Sequence, residues 1–110
     1  MPGDTVHLLF TTCPDAESAS AIARALVGER LAGCVTRLPA GTSTYRWQGE
    51  VTEDSEVQLL VKTTGARLHA AMERLRELHP YELPELVAVA ASAGLPAYLD
   101  WVASETREES

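Results

Sequence analysis

A long extended segment runs from Cys34 to Gln48 and leaves few folds open to this chain. Its 15 residues are rich in β-formers, and a two-residue alternation places Tyr45 and Trp47 on one face. At about 3.3 Å per residue the segment would extend roughly 50 Å, whereas a usual strand has only about five or six residues. Glu56–Thr64 is a second strand pattern, and Gly49-Glu50 together with the acidic pair Glu53-Asp54 marks the expected turn region before it. The sequence therefore predicts a long β-hairpin that projects beyond one small domain.

Helical and strand patterns alternate on both sides of this hairpin. Apolar residues at spacings of three and four predict helices, and β-branched or apolar runs predict buried strands. The elements predicted outside the hairpin are a strand over Thr5–Thr12, a helix over Ala16–Leu31 with Gly33 as its stop, a helix over Ala66–Leu78 that ends before Pro80, a strand over Leu86–Ala91 and a helix over Pro96–Thr106. This βαββαβ order with an extra C-terminal helix predicts an α+β fold, a ferredoxin-like sandwich with two helices on one face of the sheet.

The chain has the size and composition of one domain. It has 110 residues, of which 45% are apolar, and this is enough for one continuous core but not for two. We expect a single domain over residues 1–110, with its core at about residues 5–104. The formal net charge is −7 and no block of Lys and Arg occurs, which argues against nucleic acid as a partner.

The same composition bears on the compartment in which the chain works. Its longest apolar stretches are strand-sized, far short of the ~20 residues that a membrane span needs. Met1–Thr5 lacks the charged and apolar regions of a signal peptide, and one pair of cysteines favours free thiols in a reducing compartment. We therefore predict a cytoplasmic protein without a membrane partner.

The two cysteines differ in their predicted surroundings. Cys34 lies in an apolar strand context and is expected to be a small buried hydrophobe. Cys13 lies on the N-terminal side of the first helix, where the positive end of the helix dipole favours a thiolate. The sequence therefore predicts that Cys13 is the more reactive thiol.

The densest polar segment runs from His79 to Glu85 and includes Tyr81 and Glu82. Its two prolines stiffen the loop, and the preceding helix C-terminus together with nearby glutamates favours a protonated His79. Two interpretations of His79 stay open from the sequence. Either it faces a ligand, with Tyr81 and Glu82 beside it, or it is a core or capping histidine.

Lys62 occupies an interior position of the second hairpin strand, where a lysine must reach the rim or pair with a carboxylate. If Lys62, His79 and Glu82 share a cleft, they supply a cation, a base and an acid. Such a set suits a small anionic ligand. Structural pairing of Lys62 is the alternative.

The hairpin carries aromatic and acidic side chains that need a partner or solvent. Tyr45 and Trp47 would be exposed on an isolated hairpin, so we expect them to pack against another subunit; a stacking platform for a ligand is the alternative. The acidic residues around the expected turn form a solvated surface or a loose attractor of cations. They are Glu50, Glu53, Asp54 and Glu56.

Sequence motifs of the common enzyme classes do not occur in this chain. It has no Gly-x-Ser-x-Gly elbow, no Gly-rich phosphate loop and no His-Glu-x-x-His, and its cysteines are too far apart for a Cys-x-x-Cys metal site. We therefore predict a binding protein rather than an enzyme.

Several segments along the chain carry a family resemblance. They are Thr11–Asp15, Leu31–Val35, Ser43–Glu50 and His79–Glu85, and the runs Leu60–Thr64 and Tyr98–Trp101 extend the similarity. In this order they resemble the CutA family of divalent-cation-tolerance proteins along nearly the whole chain. The resemblance implies a ferredoxin-like homotrimer in the cytoplasm, a role in tolerance to divalent metal ions, and copper binding as in some members.

The resemblance also implies metal ligands, with one departure. Members associated with copper offer a cysteine inside the first strand and two adjacent histidines before the Pro-Tyr pair, whereas this chain has Thr11 and Leu78 at two of those positions. His79 matches the family set, and Cys13 and Glu82 are neighbouring candidates. We therefore expect copper or another divalent metal ion to be bound weakly, by His79, Cys13 and Glu82.

Three functional hypotheses follow. The first is a trimeric, metal-responsive protein of the CutA type that binds divalent cations. The second is a trimeric small-molecule sensor, because nitrogen-regulatory PII proteins resemble this arrangement and hold ligands in clefts between subunits. The third is an enzyme built on Lys62 and His79. The expected ligand-binding residues are Trp47, Lys62, His79, Tyr81 and Glu82.

Overall fold

The computed structural model describes residues 4–108, and within them lie five strands and three helices. In chain order the elements are β1 (Val6–Cys13), α1 (Ala16–Gly28), β2 (Cys34–Arg37), β3 (Gly41–Trp47), β4 (Glu50–Thr64), α2 (Gly65–Leu78), β5 (Val87–Ala90) and α3 (Pro96–Glu105). Across residues 4–108, no helix is long and apolar enough to cross a membrane.

The strands form an antiparallel sheet in the order β2-β4-β1-β5, and β3 pairs with the outer half of β4. Helix α1 connects β1 to β2, and helix α2 connects β4 to β5. This strand order and these connections are those of a ferredoxin-like sandwich. The predicted α+β fold, with its hairpin and its extra C-terminal helix, is confirmed.

The core lies between one face of the sheet and helices α1 and α2. Strand alternation directs Leu9 of β1 and Leu59 and Val61 of β4 to this face, and all three are fully buried. They belong to one cluster with buried residues of both helices, which are Ala19, Ile22 and Leu26 of α1 and Ala71 and Leu75 of α2. Burial of each leucine stabilises the fold by about 1.5–3 kcal/mol.

Within residues 4–108, the opposite face of the sheet is covered at one end and left open elsewhere. There the hydroxyl of Thr106, at the end of α3, lies 3.5 Å from the hydroxyl of Thr64, and Val6 is buried. Farther along the strands, apolar side chains are half-buried or exposed, and we call this set the open face: Leu8, Phe10, Leu60, Val87 and Val89. Val87 and Val89 are 54% and 46% exposed. A single chain thus presents an apolar sheet surface to solvent.

The hairpin differs from its prediction in two respects. The extended segment is broken at residues 38–40, where Pro39 cannot donate to a strand ladder, and so it becomes two strands, β2 and β3. The turn is the dipeptide Gln48-Gly49, with left-handed φ angles of 50° and 82° as in a two-residue hairpin turn. The acidic residues that were predicted around the turn instead lie in β4, which is 15 residues long.

Helix α1 also ends earlier than the sequence predicts, at Gly28 instead of Leu31. Arg30 takes the left-handed conformation, with φ of 60°, and the amide of Leu31 donates to the carbonyl of Leu26. These contacts close the helix without a glycine in the left-handed position.

Gly33, predicted to be the helix stop, has a different role. A Cβ atom at this position would lie 3.3 Å from the Cα atom of Val102 in α3. The absence of a side chain therefore lets α3 approach the end of the sheet closely.

Candidate functional site

An open groove of about 1250 Å³ lies between the hairpin and the loop that follows α2. The hairpin contributes Ser43, Thr44, Tyr45, Trp47, Asp54 and Glu56, the loop contributes residues 80–85, and β1 contributes Thr12. Three of the ligand residues predicted from the sequence, Trp47, Tyr81 and Glu82, line this groove together. Because it brings three predicted residues together on one concave surface, we treat it as the candidate site.

The strand register builds the hairpin wall of the groove. Tyr45 pairs with Thr52 and Ser43 pairs with Asp54, so that Tyr45 and Asp54 are diagonal neighbours on one face. The Tyr45 hydroxyl donates a hydrogen bond to the Asp54 carboxylate, and this bond is the main cause that raises the pKa of Tyr45. Trp47 continues the same face toward the turn and is 51% exposed.

His79 does not line the groove; it is buried beneath the loop residues that do. Its Nδ1 atom accepts the amide N–H of Tyr81 at 3.0 Å, so the ring proton lies on Nε2, which donates to the carbonyl of Thr12 at 2.8 Å. The side chain is buried, and its amide caps α2 by donating to the carbonyl of Leu75. His79 is therefore a buried capping histidine, which is the second of the two interpretations that the sequence left open.

Tyr81 connects His79 to the carboxylate of Glu56. Its ring lies 5.0 Å from the ring of His79, and its hydroxyl donates to Glu56 Oε2 at 2.9 Å. Burial, followed by the bond to Glu56, raises the pKa of Tyr81, so the phenol remains a donor at neutral pH. A chain of hydrogen bonds thus runs from Thr12 through His79 and Tyr81 to Glu56.

The charge of the groove has one sign. Its acidic lining residues are Asp54, Glu56, Glu82 and Glu85, and among the described residues no Lys, Arg or His side chain lines it. A cleft lined by charges of one sign attracts ions of the opposite sign, so carboxylates here attract a cation and repel an anion. The groove is therefore suited to a cationic ligand, which is opposite to the small anionic ligand predicted from the sequence.

Lys62, which was predicted to share this cleft, lies elsewhere. It pairs with Leu8 and Cys34 in the sheet, whereas the part of β4 next to Thr12 is Gln58, four residues or about 13 Å away. The Lys62 ammonium donates to the Thr36 hydroxyl at 3.0 Å and lies 3.7 Å from the Cys34 sulfur. The alternative of structural pairing holds, with hydroxyl and thiol groups as partners in place of a carboxylate.

Cys13 does not reach the groove either. Alternation along β1 turns it to the core face with Leu9, and it is fully buried. Burial, with smaller contributions from Asp15 and Glu56, raises the pKa of its thiol to about 11. The predicted thiolate at Cys13 is therefore wrong, because burial outweighs the helix dipole.

The metal ligands predicted from the resemblance do not assemble in one chain. Cys13 is buried and protonated, both nitrogens of His79 are occupied, and Glu82 is exposed in the groove. Between residues 4 and 108, no group of three or more His, Cys, Asp or Glu side chains is placed to hold a metal ion. The two soft or borderline donors predicted as ligands, Cys13 and His79, are thus engaged in the fold, and the described lining of the groove offers carboxylate and hydroxyl oxygens instead.

We expect Cys34 to react with iodoacetamide at least about tenfold faster than Cys13 in the native protein. Cys34 is partly exposed and has an ammonium beside its sulfur, whereas Cys13 is fully buried. Brief labelling followed by peptide mass spectrometry measures both rates, and labelling in denaturant is the control in which both cysteines should react. Faster labelling of native Cys13 would contradict this assignment.

The sequence predicted the loop residues of the groove but not the acidic residues of its hairpin wall. Tyr81 and Glu82 are next to His79 in the chain, so a local motif identified them. Asp54 and Glu56 were assigned to a solvated turn, and their place in the groove depends on the register of β4 with β3. A partial signal was present in Gly49, because glycine readily adopts the positive φ angle that a two-residue hairpin turn requires.

Comparison with known proteins places the chain among relatives that share both sequence and fold. Residues 7–105 match the family described as CutA1 divalent ion tolerance protein. The divalent-cation tolerance protein CutA of Thermus thermophilus is 50% identical to this chain over 100 residues, which are 91% of this chain and 97% of the relative.

Solved structures agree with this match. The crystal structure of CutA from Xylella fastidiosa is 54% identical, has a TM-score of 0.92, and is matched over 94% of this chain and 99% of its own. A protein from Archaeoglobus fulgidus, described as the periplasmic divalent cation tolerance protein CutA, is 26% identical with a TM-score of 0.90, over 93% of this chain and 99% of its own. The family match extends over most of the chain and the relatives share its complete fold, so the chain belongs to the CutA1 divalent ion tolerance family.

Proposed function

We propose that this protein contributes to divalent-cation tolerance in the cytoplasm as a homotrimer, and that its role is binding rather than catalysis. The observation that carries the proposal is the family match over residues 7–105, supported by an acidic groove that is suited to cations. The proposed compartment rests on the composition of Met1–Thr5 and on the single pair of cysteines, which favours free thiols in a reducing compartment.

Self-association is supported by the open face. Val87 and Val89 are 54% and 46% exposed, and they pair through β1 with the apolar residues Phe10 and Leu8. A contiguous apolar sheet surface of this kind marks an interface in a stable protein. The number of subunits, three, comes from the family resemblance.

Metal binding is proposed to be weak and to use oxygen ligands. A copper site built on His79 and Cys13 does not fit, because one side chain has no free nitrogen and the other is a buried, protonated thiol. The carboxylates of Glu82 and Glu85 remain accessible in the groove. Carboxylate ligands bind divalent ions with little selectivity for copper.

Growth in copper tests the proposed function. The chain is expressed in a host strain that lacks its own family member, and we expect it to restore growth at copper concentrations that stop the strain with an empty vector. The Glu82→Gln/Glu85→Gln variant should restore growth less well. The matched control, Glu17→Gln/Glu73→Gln, changes exposed acids on α1 and α2 by the same net charge and should behave as wild type. Normal expression without any gain in tolerance would refute the proposal.

A small-molecule sensor is the second candidate function. It is favoured by the size of the groove, because about 1250 Å³ is far larger than the coordination sphere of one metal ion and somewhat above the roughly 300–1,000 Å³ of usual ligand clefts. The charge of the groove restricts such a ligand to a cation.

A further inference from the structure

We propose that Lys62 forms an ion pair with a hairpin carboxylate of a second copy of this chain, so that the hairpin of one subunit lies against the open face of the next. This inference rests on the self-association in the proposed function and deepens it, because it names the charged contact that orders the copies. Three features lead to it: a cation without a carboxylate partner, an overhanging acidic hairpin, and the strand alternation that places both on one side.

Lys62 places a cation in an apolar part of the sheet. It is half-buried and lies opposite Leu8, a residue of the open face. Its ammonium donates to the Thr36 hydroxyl at 3.0 Å and lies 3.7 Å from the Cys34 sulfur, and within residues 4–108 no carboxylate forms an ion pair with it. A subunit that covers the open face desolvates this ammonium, which then needs a carboxylate from outside its own chain.

The outer half of the hairpin extends beyond the sheet and carries the complementary charge. β1 pairs with β4 as far as Val57, whereas β3 pairs with β4 out to Glu50. The seven residues 50–56 therefore overhang the end of β1 by about 23 Å. Glu50 and Asp54 are exposed in this overhang, where a second subunit can reach them.

Strand alternation puts these carboxylates on the same side of β4 as Lys62. Glu50 and Asp54 are separated from Lys62 by even numbers of residues, and side chains at even spacing share one face of a strand. The outer part of this side is formed by Tyr45, Trp47, Glu50 and Asp54, and we call it the hairpin face. One side of the chain is thus apolar with a cation near the core, and aromatic with carboxylates near the turn.

The hairpin face and the open face complement each other. The exposed rings of Tyr45 and Trp47 can cover apolar side chains of another copy while a nearby carboxylate meets Lys62. Contact between two open faces, or between two hairpin faces, would instead gather charges of one sign. In a cyclic trimer each contact joins two different patches, so every copy offers its hairpin face to one neighbour and its open face to the other.

Lys62→Met distinguishes an ion pair between subunits from an isolated lysine. The substitution removes the charge and retains a long side chain. A carboxylate of the neighbour would then lose its partner inside an interface, so the protein concentration at half-assembly should rise at least about tenfold. An unpaired Lys62 predicts the opposite change, because an apolar side chain strengthens an apolar interface, and a lower concentration would overturn the inference. Sedimentation velocity over a dilution series measures the change, and circular dichroism checks that the variant is folded.

Charge exchange identifies the partner of Lys62. Lys62→Glu should dissociate the proposed trimer, and addition of either Asp54→Lys or Glu50→Lys should restore it, because each contact of the ring then regains opposite charges. Lys62 and Asp54 are eight residues, or about 26 Å, apart along β4, so restoration cannot arise within one chain. Lys62→Glu/Glu53→Lys is the matched control. Glu53 accepts the Thr44 hydroxyl on the other side of β4, so this variant should remain dissociated.

The outcomes separate this inference from the proposed function. A trimeric wild-type protein whose assembly is restored by neither hairpin variant, or equally by the Glu53→Lys control, would overturn the inference and leave the proposed trimer intact. A monomeric wild-type protein would overturn both. Charge exchange as expected, in a protein that gives no copper tolerance, would support the inference while the proposed role in tolerance fails.

Discussion

The Val89→Glu variant is expected to sediment as a single chain at micromolar concentrations, whereas we expect the wild-type protein to sediment as a trimer. Val89 is 46% exposed on the open face and lies opposite Leu8 in the sheet. A carboxylate at this position can remain hydrated in a single chain, whereas in an apolar interface its desolvation costs several kcal/mol. The cost is repeated in each subunit of a symmetric assembly, so dissociation should be complete.

Val27→Glu is the matched control for this experiment. Val27 is 44% exposed on α1, which covers the other face of the sheet, so the same substitution at similar exposure should leave the assembly unchanged. Sedimentation velocity measures the mass of both variants, and circular dichroism checks that they are folded. A wild-type monomer, or two variants with the same mass as the wild type, would refute the open face as the interface.

His79→Ala is expected to lower the free energy of unfolding by about 2–4 kcal/mol and to leave copper affinity unchanged. The substitution leaves the carbonyl of Thr12 and the amide of Tyr81 without their partner and opens a cavity at a buried position. Copper affinity should not respond, because neither nitrogen of the ring is free to bind a metal. Urea unfolding at a fixed protein concentration and calorimetric titration with copper give the two quantities.

His69→Ala provides the comparison. His69 lies exposed on α2, so its loss removes an imidazole from the protein and should change stability by less than about 0.5 kcal/mol. A tenfold loss of copper affinity in folded His79→Ala, with none in His69→Ala, would restore His79 as a metal ligand.

The fold was predictable where burial on one face repeats along a strand. Val57, Leu59 and Val61 alternate with polar or partly exposed residues, and all three are buried as the pattern predicts. The position of the hairpin turn was not predictable in this way, because Glu53 and Asp54 have low strand propensity and resemble turn residues. In the folded chain their carboxylates accept hydrogen bonds from residues of β3, which compensates for that low propensity.

The candidate site was predictable where its residues are neighbours in sequence, as Tyr81 and Glu82 are. Cys13 and Lys62 were misplaced because their positions depend on which face of the sheet each strand residue occupies. Cys13 shares a face with buried Leu9, and Lys62 shares a face with Cys34 far from the groove. Distances between elements depend on strand pairing, which local patterns do not specify.

The pairing of β3 with β4 restricts how the length of the hairpin can change. Residues pair one to one from Gly41 opposite Glu56 to Trp47 opposite Glu50, and their side chains alternate between two faces. Deletion of a single pair near the base would rotate every outer residue to the opposite face, and Tyr45 and Trp47 would leave the groove. An insertion or deletion that preserves the aromatic wall must therefore change both strands together and by an even number of residues, so the depth of the groove can vary only in discrete steps of about 7 Å.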